Sequence, residues 1–522
     1  MKRSVYSQSI PPGGRNAWVA MLVCAGLLVL AGCRTPDWNE TRHLESAQYN
    51  SRLQEETKQL LERFPEGLDL TNCVAIAKDR NTRLMASQIA AKVAQMDRKA
   101  AFSVFLPQIQ VTYNALSLSE EPLKRFGENS VALQDKNLQE SSMQIVQPLF
   151  APSAWLLYRS AKRGAEIASL AQERTEQMIE LSVVSQFYQC GAMVEQLARL
   201  NEEAEAARQL RHESEAMARE GYVTDAELAS VRVMVMERER ALQTAQRETR
   251  LAQSRLLQLM NLWPLADLKL KTDTLLDESR ARYVIATPGG NPREVAAQEL
   301  TGIPVEEWMF HALVSRKEMQ IQDRTVALRR NETLRALAMF LPNLMGFANF
   351  YKTSDSYTVN QEYWGTGLQA SLSAFVGFRD VAAYLKARQE VKGAYVEREE
   401  TAMMVLLQVL EAYNNLQDAK AVLDVAEAAS VAAGKTFTAM DAQSRVGLVP
   451  LSQLLQAHAA HSQTVAQRNT AALANAVALH AFKNVVGGYI QGIAEDRPNN
   501  VAHHGPPTAA IGPNPNVELK GE

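Results

Sequence analysis

The sequence predicts a mainly α protein with a small β part, built from long antiparallel helical hairpins in a duplicated repeat. The tripeptide Phe-Leu-Pro occurs twice, at Phe105–Pro107 and Phe340–Pro342, and each copy ends a helical stretch and precedes alternating polar and apolar residues. Farther along, each copy is followed by a run without proline, over 153–221 and 378–447, that would make roughly 100 Å of helix. The same order of elements in both copies indicates an internal duplication.

The composition favours closely packed helices. Hydrophobic residues make up 46% of the chain and aromatic residues only 7%, so the core is built mainly of Ala, Leu, Val and Met. The formal net charge is −3, and no stretch has the basic patch that a nucleic-acid surface requires. We therefore exclude nucleic-acid binding.

The start of the chain has the pattern of a bacterial lipoprotein signal peptide. Lys2 and Arg3 precede an apolar run, Ala17–Leu30, which is too short for a bilayer-spanning helix but fits the central region of a signal peptide. The run ends in Leu-Ala-Gly-Cys, which resembles a lipobox, so we predict that residues 1–32 are removed and that Cys33 carries lipid, including palmitate. Arg34 follows, where inner-membrane lipoproteins usually have Asp, and this favours the outer membrane. A short anchor with a chance cysteine is the alternative.

Two of the four cysteines lie in the helical part of the chain. Cys24 is in the signal peptide and Cys33 is the predicted lipidation site, which leaves Cys73 and Cys190. These two could form a disulfide in an oxidising compartment, but their apolar surroundings favour two buried thiols.

The remainder divides into a tether, two repeats, a connector and a tail. We predict a polar tether over 33–67, repeat 1 over 68–263, an equatorial connector over 264–303, repeat 2 over 304–490 and a disordered proline-rich tail over 491–522.

Each repeat begins with a helix and a pair of strands. The strand pairs are predicted within 108–148 and 343–375, and residues 117–142 are predicted as a long loop between the two strands of repeat 1. Four strands are too few to close a barrel, so they must pair with other chains or lie on the helices. Aromatic residues near the strands resemble the interfacial girdle of a membrane barrel, although a soluble sheet can also carry them.

Each long helix ends at a glycine that allows the chain to reverse. Gly221 and Gly447 follow a basic residue near the end of the helix, which is typical of a C-terminal cap. The return helices that follow are too short to reach back to the strands. We predict that a helix of the other repeat supplies the rest of each ascent, with 304–340 above the first return helix and 70–105 above the second.

Taken together, these motifs resemble the TolC-like outer-membrane efflux protein family, and the lipobox points to a lipoprotein member. The motifs are the stretch Leu70–Ala77, Phe-Leu-Pro before a strand, Gln147–Phe150 at the end of a strand pair, and the glycine turn with its return helix. The ordered set covers residues 68–490 as two copies. The resemblance implies a homotrimer in which the four strands of each chain form one twelve-stranded membrane β-barrel and the helices form a trimeric α-barrel in the periplasm.

The resemblance also implies a function. It predicts the outer-membrane exit duct of a tripartite efflux or secretion system, which passively conducts substrates from an inner-membrane pump and a periplasmic adaptor (membrane fusion) protein. The resemblance also predicts contact between the protein and outer-membrane lipid. The cargo stays open among small drugs, metal ions, polysaccharide and polypeptide, and the lipid anchor favours small molecules. A lipid-anchored periplasmic coiled-coil structural or interaction protein without a channel is the alternative.

The resemblance places the two hairpin ends at the periplasmic tip that meets the adaptor. The tip residues are Gly221, Tyr222, Val223, Gly447, Leu448 and Val449. Their apolar side chains could instead only stabilise the turn. The helix-to-strand junctions are Pro107 and Pro342.

An acidic ring at the tip would make a cation-selective gate. The gate candidates are Asp225, Glu227, Gln453 and Gln456. Because repeat 2 has amides where repeat 1 has acids, we predict at most one acidic ring. Acids at the start of a helix are also common because they complement the helix dipole, and that explanation stays open.

Nothing in the sequence indicates an enzyme. There is no Walker A, GxSxG or HExxH motif. His458 and His461 are spaced like two ligands on one helix face but have no third ligand nearby, so we predict neither a metal site nor a cofactor.

Overall fold

Two long antiparallel helical hairpins extend from a four-stranded sheet. The computed structural model describes residues 38–126, 129–222, 224–271, 282–285, 293–445, 448, 451–487 and 490–492. The predicted signal peptide and the lipidation site Cys33 lie outside these residues. The helices are α1 (Trp38–Leu61), α2 (Leu70–Arg80), α3 (Thr82–Ser103), α4 (Pro152–Arg219), α5 (Asp225–Leu259), α6 (Val305–Ser315), α7 (Lys317–Ala338), α8 (Arg379–Arg445) and α9 (Leu451–Val486).

The two longest helices, α4 and α8, form the shaft. They contain 68 and 67 residues, which is about 100 Å each at the α-helical rise. α4 begins with Pro152, at a helix position that tolerates proline, and no proline follows in either helix. α4 packs against α5, and α8 packs against α9; α9 also packs against α4, while α7 contacts both long helices.

Equivalent positions of the two repeats carry the core. The pairs are Ala77 and Ala312, Leu84 and Met319, Val183 and Val409, and Leu256 and Phe482, and all eight residues are buried. They belong to two clusters around the middle of the shaft, one in each repeat. Cys73 and Cys190 are buried in the first cluster as free thiols.

The predicted partners of the return helices were wrong. The side-chain amide of Asn81, between α2 and α3, donates to the carbonyl oxygen of Leu259 at the end of α5 (2.7 Å). In repeat 2 the hydroxyl of Ser315, at the end of α6, donates to the carbonyl oxygen of Val486 at the end of α9 (2.8 Å). Each return helix therefore meets the helix pair of its own repeat, at the break between α2 and α3 in repeat 1 and between α6 and α7 in repeat 2. In repeat 1 the start of the connector also lies beside the residues that precede α2. The N–H of Leu68 donates to the carbonyl of Lys269 (2.9 Å).

The main sheet contains four strands, β1 (Gln108–Ser117), β4 (Asn137–Phe150), β7 (Asn343–Thr353) and β8 (Glu362–Ser371). The sheet is antiparallel, and its strands lie in the order β1-β4-β7-β8. The predicted long loop of repeat 1 was partly wrong. It contains a hairpin, β2 (Leu123–Phe126) and β3 (Asn129–Ala132), and β4 begins well before the predicted strand.

A second small sheet joins the connector to the end of repeat 2. Its order is β6-β5-β9, with β5 at Arg282–Ile285, β6 at Arg293–Ala296 and β9 at Ile490–Gly492. β9 thus extends two residues into the segment predicted as a disordered tail. Among the helices that the structure describes, none is both long and apolar enough to cross a membrane.

Candidate functional site

One face of the four-stranded sheet is apolar. Directly opposite residues on neighbouring antiparallel strands share a face, so the register defines rows across the sheet. One row is Val111, Met143, Phe350 and Trp364, and the next is Ile109, Ile145, Ala348 and Thr366. Val111 is 72% exposed and Trp364 is 75% exposed. A continuous apolar surface of this kind marks an interface with lipid or with protein.

The opposite face of the same sheet is mainly polar. Its rows join Gln110 to Gln144 and Asn349, and Thr112 to Ser142 and Tyr351. Gly367 leaves room for a neighbouring ring, because a Cβ added to it would lie 2.6 Å from the ring of Phe347. The sheet therefore has two chemically different faces, as the alternation of polar and apolar residues predicted.

Pro107 and Pro342 each stand between a helix and a strand. In both copies the N–H of the leucine in Phe-Leu-Pro donates to the carbonyl three residues earlier, at 3.0 Å in repeat 1 and 3.1 Å in repeat 2. The strand begins directly after the proline in both cases. The two prolines thus occupy equivalent junctions.

Repeat 1 ties its junction to the sheet through a side-chain amide. Gln147 of β4 donates from Nε2 to the carbonyl oxygen of Phe105 (2.8 Å). The ring centroid of Phe105 lies 4.9 Å from that of Trp155 and 6.3 Å from that of Tyr158. In repeat 1, aromatic residues therefore cluster where helix changes to strand.

The two hairpin ends reverse the chain with the same hydrogen bond. Gly221 has φ +81°, which favours glycine. The N–H of Tyr222 donates to the carbonyl five residues earlier (2.9 Å), and the N–H of Leu448 does the same (3.0 Å). Tyr222 is 79% exposed and Leu448 is 75% exposed, so neither side chain is buried by its own turn. The other predicted tip residues, Val223, Gly447 and Val449, lie outside the described residues.

The gate candidates are exposed residues at the start of each return helix. Asp225, Glu227, Gln453 and Gln456 are all exposed. The Glu227 carboxylate accepts from the N–H and from the hydroxyl of Thr224, both at 2.9 Å, and the Glu227 N–H donates to the Thr224 hydroxyl (3.3 Å). These bonds hold the pKa of Glu227 below its ordinary value. This capping box accounts for the acid at position 227 without a role in a gate. A ring would need several chains and stays a prediction.

The two histidines of α9 pack on an aromatic ring of α8. The centroid of Phe437 lies 5.2 Å from that of His458 and 5.7 Å from that of His461. In the described part of the chain, no group of three or more His, Cys, Asp or Glu side chains is arranged to hold a metal ion.

Sequence reasoning missed the polar contacts at the end of the sheet that lies away from the helices. The hydroxyl of Tyr351 donates to Glu140 Oε1 (2.6 Å). The N–H of Asp135 donates to Asp355 Oδ1 (3.1 Å), and the N–H of Ser356 donates to Asp135 Oδ2 (2.5 Å). Glu140 was missed because its part of β4 was assigned to a loop. Residues 139–142 are all polar, so no alternation of polar and apolar residues marked this part of β4.

The second repeat matches a known protein family. Residues 308–488 match the family described as Outer membrane efflux protein. The match covers about a third of the chain and includes α7, β7, β8, the second long helix and its return helix. A comparison with curated proteins finds no match.

Solved structures of outer-membrane channels are similar to the chain over both repeats. The CmeC outer membrane channel of Campylobacter jejuni is 15% identical, with 81% of this chain and 86% of that chain covered and a TM-score of 0.63. For VceC of Vibrio cholerae the identity is 14%, the coverage 80% and 96%, and the TM-score 0.59. For the MtrE channel of Neisseria gonorrhoeae, in its open state, the values are 14%, 80% and 88%, and 0.58.

At these identities the likeness to solved structures concerns the fold. Together with the family match, it confirms the predicted resemblance and fold class. Channels of this family are conduits that catalyse no reaction, so the family match also agrees with the prediction that the chain is not an enzyme.

Proposed function

We propose that this chain, whose second repeat is an outer membrane efflux protein domain, is the outer-membrane exit duct of a tripartite efflux or secretion system. It would passively conduct substrates that an inner-membrane pump and a periplasmic adaptor deliver. The observation that carries this proposal is the sheet, which has one apolar face, one polar face and two open edges.

The open edges support closure by copies of the same chain. β1 and β8 are the outer strands of the sheet, and among the described residues no strand pairs with their outer sides. In lipid, unpaired backbone N–H and C=O groups are too costly, so membrane strands must form a closed barrel. Because the strands alternate in direction, β8 of one chain can pair antiparallel with β1 of the next. Three chains would give a twelve-stranded homotrimer with the apolar face toward outer-membrane lipid and the polar face toward the lumen.

The hairpin ends suit contact with an adaptor. They lie at the end of the roughly 100 Å helices opposite to the sheet, where a periplasmic partner can reach them. Tyr222 and Leu448 are exposed apolar side chains, and the N–H of each donates to the carbonyl five residues earlier. We propose that both turns, including Gly221, Val223, Gly447 and Val449, form this contact surface. Lipid on Cys33 would add a second attachment to the outer membrane.

Two neighbouring substitutions on β1 test the function. Val111 lies in an apolar row and Thr112 in a polar row. Arginine at a lipid-facing position costs about 2–4 kcal/mol per chain at the bilayer midplane, so Val111→Arg should abolish insertion and conductance in planar bilayers. Thr112→Arg should still insert and trimerise, but with a lower conductance and a weaker cation preference, because it adds positive charge to the lumen.

Two results would contradict the proposal. One is a Val111→Arg protein that inserts and conducts like the wild type. The other is a wild-type protein that stays monomeric, does not conduct, and leaves the membrane when Cys33 is not acylated. The second result would favour the lipid-anchored structural protein. Chemical crosslinking of the full-length protein in detergent gives the oligomeric state independently of conductance.

A further inference from the structure

The polar face of the sheet carries a single charged side chain. The four strands β1, β4, β7 and β8 contain only three charged residues, Glu140, Lys352 and Glu362. The register places Lys352 directly opposite Glu362, in the row that continues the apolar face through Ser141. Lys352 Nζ lies 3.0 Å from Glu362 Oε2, so these two charges balance each other. Glu140 is on the other face.

Glu140 is held by a neutral partner. The register places Ser142 opposite Tyr351 on the polar face, and Glu140 is two residues from Ser142 on the same side of β4. The Tyr351 hydroxyl donates to Glu140 Oε1 at 2.6 Å, and the Tyr351 ring lies 5.2 Å from that of Tyr363. In the part of the chain that the structure describes, no Lys or Arg side chain forms a salt bridge with Glu140. The side chain is fixed in position, and no cation among the described side chains neutralises its charge.

Two further acids near this end of the sheet, Asp355 and Asp135, are already occupied. Asp355 is buried, and its carboxylate accepts from the N–H of Asp135, from the N–H of Tyr357 and from the hydroxyl of Thr358. The Asp135 carboxylate accepts from the N–H and the hydroxyl of Ser356. These acids join two turns, whereas Glu140 has a single hydrogen-bond donor and faces the row of amides and hydroxyls.

We propose that Glu140 and its copies form a carboxylate ring in the outer half of the duct, which attracts cations and binds divalent or larger cations weakly. This inference rests on the proposed function, because only closure of the barrel turns the polar face into a lining. Lining charges of one sign inside low-dielectric walls concentrate counter-ions. Tyr351 is a positioning residue, since its hydroxyl orients one carboxylate oxygen and leaves the other for the ion. The ring lies at the opposite end of the molecule from Glu227.

Ion selectivity of the full-length trimer in planar bilayers tests the proposal. In a KCl gradient, Glu140→Gln should lower the ratio of potassium to chloride permeability by about threefold or more. Glu362→Gln is the matched control, because it removes a carboxylate from the same end of the sheet but from the opposite face, and it should leave the ratio unchanged. Hexaamminecobalt(III) added on the side of the sheet should block the wild type at lower concentration than Glu140→Gln.

A cysteine variant keeps the test independent of folding. Cys73 and Cys190 are buried, so in Glu140→Cys channels that already conduct, a methanethiosulfonate reagent should reach residue 140 selectively. A negatively charged reagent should restore cation preference, and a positively charged reagent should reverse it. Conducting Glu140→Gln channels with unchanged selectivity and unchanged block, or Glu140→Cys channels insensitive to both reagents, would overturn the ring. Absence of conductance in the wild type would instead contradict the proposed function.

Discussion

The two repeats make the same kink in their ascending helix with different side chains. In repeat 1, Asn81 has φ −65° and ψ 119°, and its side-chain oxygen accepts from the N–H groups of Arg83 (2.9 Å) and Leu84 (3.2 Å). In repeat 2 the equivalent Arg316 has φ −65° and ψ 138° but makes no capping bond. Its guanidinium bonds Glu318 instead, with Nη2 2.8 Å from Oε1. The duplication therefore preserves the backbone conformation and exchanges a neutral cap for a buried ion pair.

The buried core next to each kink also differs in its side chains between the two repeats. Cys73 and Trp308 are equivalent residues on α2 and α6, and both are buried. Around Cys73 the volume is filled by aromatic residues of the long helix, Phe187 and Tyr188. In repeat 2 the Trp308 side chain itself fills the corresponding volume, and its ring centroid lies 5.3 Å from that of Phe482. The residue of α8 equivalent to Phe187 is also aromatic, so repeat 2 differs by placing further rings on its shorter helices α6 and α9.

The largest difference between the repeats is expected at this core position. Trp308→Ala should lower the free energy of unfolding by about 3–5 kcal/mol, because it removes a buried ring and leaves a cavity. Cys73→Ala is the matched variant and should cost about 1 kcal/mol, because it removes one sulfur atom. Thermal unfolding of the purified protein in detergent, followed by circular dichroism at 222 nm, compares the two. Equal losses would contradict the conclusion that the buried ring of Trp308 stabilises the core of repeat 2.

A smaller difference is expected at the kinks. Glu318→Gln leaves Arg316 buried beside Arg174, whose Nε lies 2.6 Å from Glu318 Oε1 in the wild type. Removing one partner of a buried ion pair costs about 3–5 kcal/mol, and the partial exposure of Glu318 reduces this to about 2–3 kcal/mol. Asn81→Ala in repeat 1 removes a cap and should cost about 1–2 kcal/mol.

Acid titration separates the two kinks. Burial acts to raise the pKa of Glu318, but Arg316 and Arg174 outweigh it, and the pKa lies below its ordinary value. The ion pair therefore contributes stability that is present above the ordinary carboxyl pKa and is lost as the pH falls through the lower pKa of the folded state. Glu318→Gln should weaken the acid dependence of unfolding, whereas Asn81→Ala should leave it unchanged. The opposite pattern would rule out the ion pair as the source.

Periodicity and turn signals were sufficient to predict the two long helices, their reversals and the strands of the main sheet. Proline-free runs predict the two long helices, and glycines predict the two reversals, because these features depend on neighbouring residues. The alternation after each Phe-Leu-Pro predicts two faces for the sheet for the same reason. One chain alone does not show how four strands with open edges could close into a barrel. The expectation that three chains form one barrel came from the family resemblance.

Contacts between distant residues could not be predicted in this way. The bond from Asn81 to Leu259 joins residues 178 positions apart, and no local pattern distinguishes it from a contact with the other repeat. Glu140 was missed because its neighbours are small polar residues, which suit a loop as well as a strand facing water. Its role depends on the register with β7 and on the charge of every other residue on that face, which only the assembled sheet shows.

The smallest effect that distinguishes the repeats is the alkaline titration of the two thiols in repeat 1. Burial, with smaller contributions from Asp69 and Cys190, raises the pKa of Cys73 to about 12. Burial also raises the pKa of Cys190 to about 11, against a hydrogen bond from Gln186 that lowers it. Both values lie above the ordinary thiol value of 9.0. The unfolded chain therefore loses these protons first, and the thiols contribute stability that is fully present below pH 9 and is lost as the pH rises toward 11 and 12.

The variant with Cys73→Ala and Cys190→Ala isolates this contribution from lysine and tyrosine titration. Between pH 8 and pH 9 the wild type should lose about 0.7 kcal/mol more stability than the double variant. The native thiols should also resist a maleimide at pH 8 until the protein unfolds, because the buried neutral thiol is a poor nucleophile. Equal alkaline losses in the two proteins, or rapid labelling of the folded wild type, would mean that the core of repeat 1 is open around its cysteines. The exchange of an aromatic ring for small thiols between the two repeats would then have left a packing defect in repeat 1.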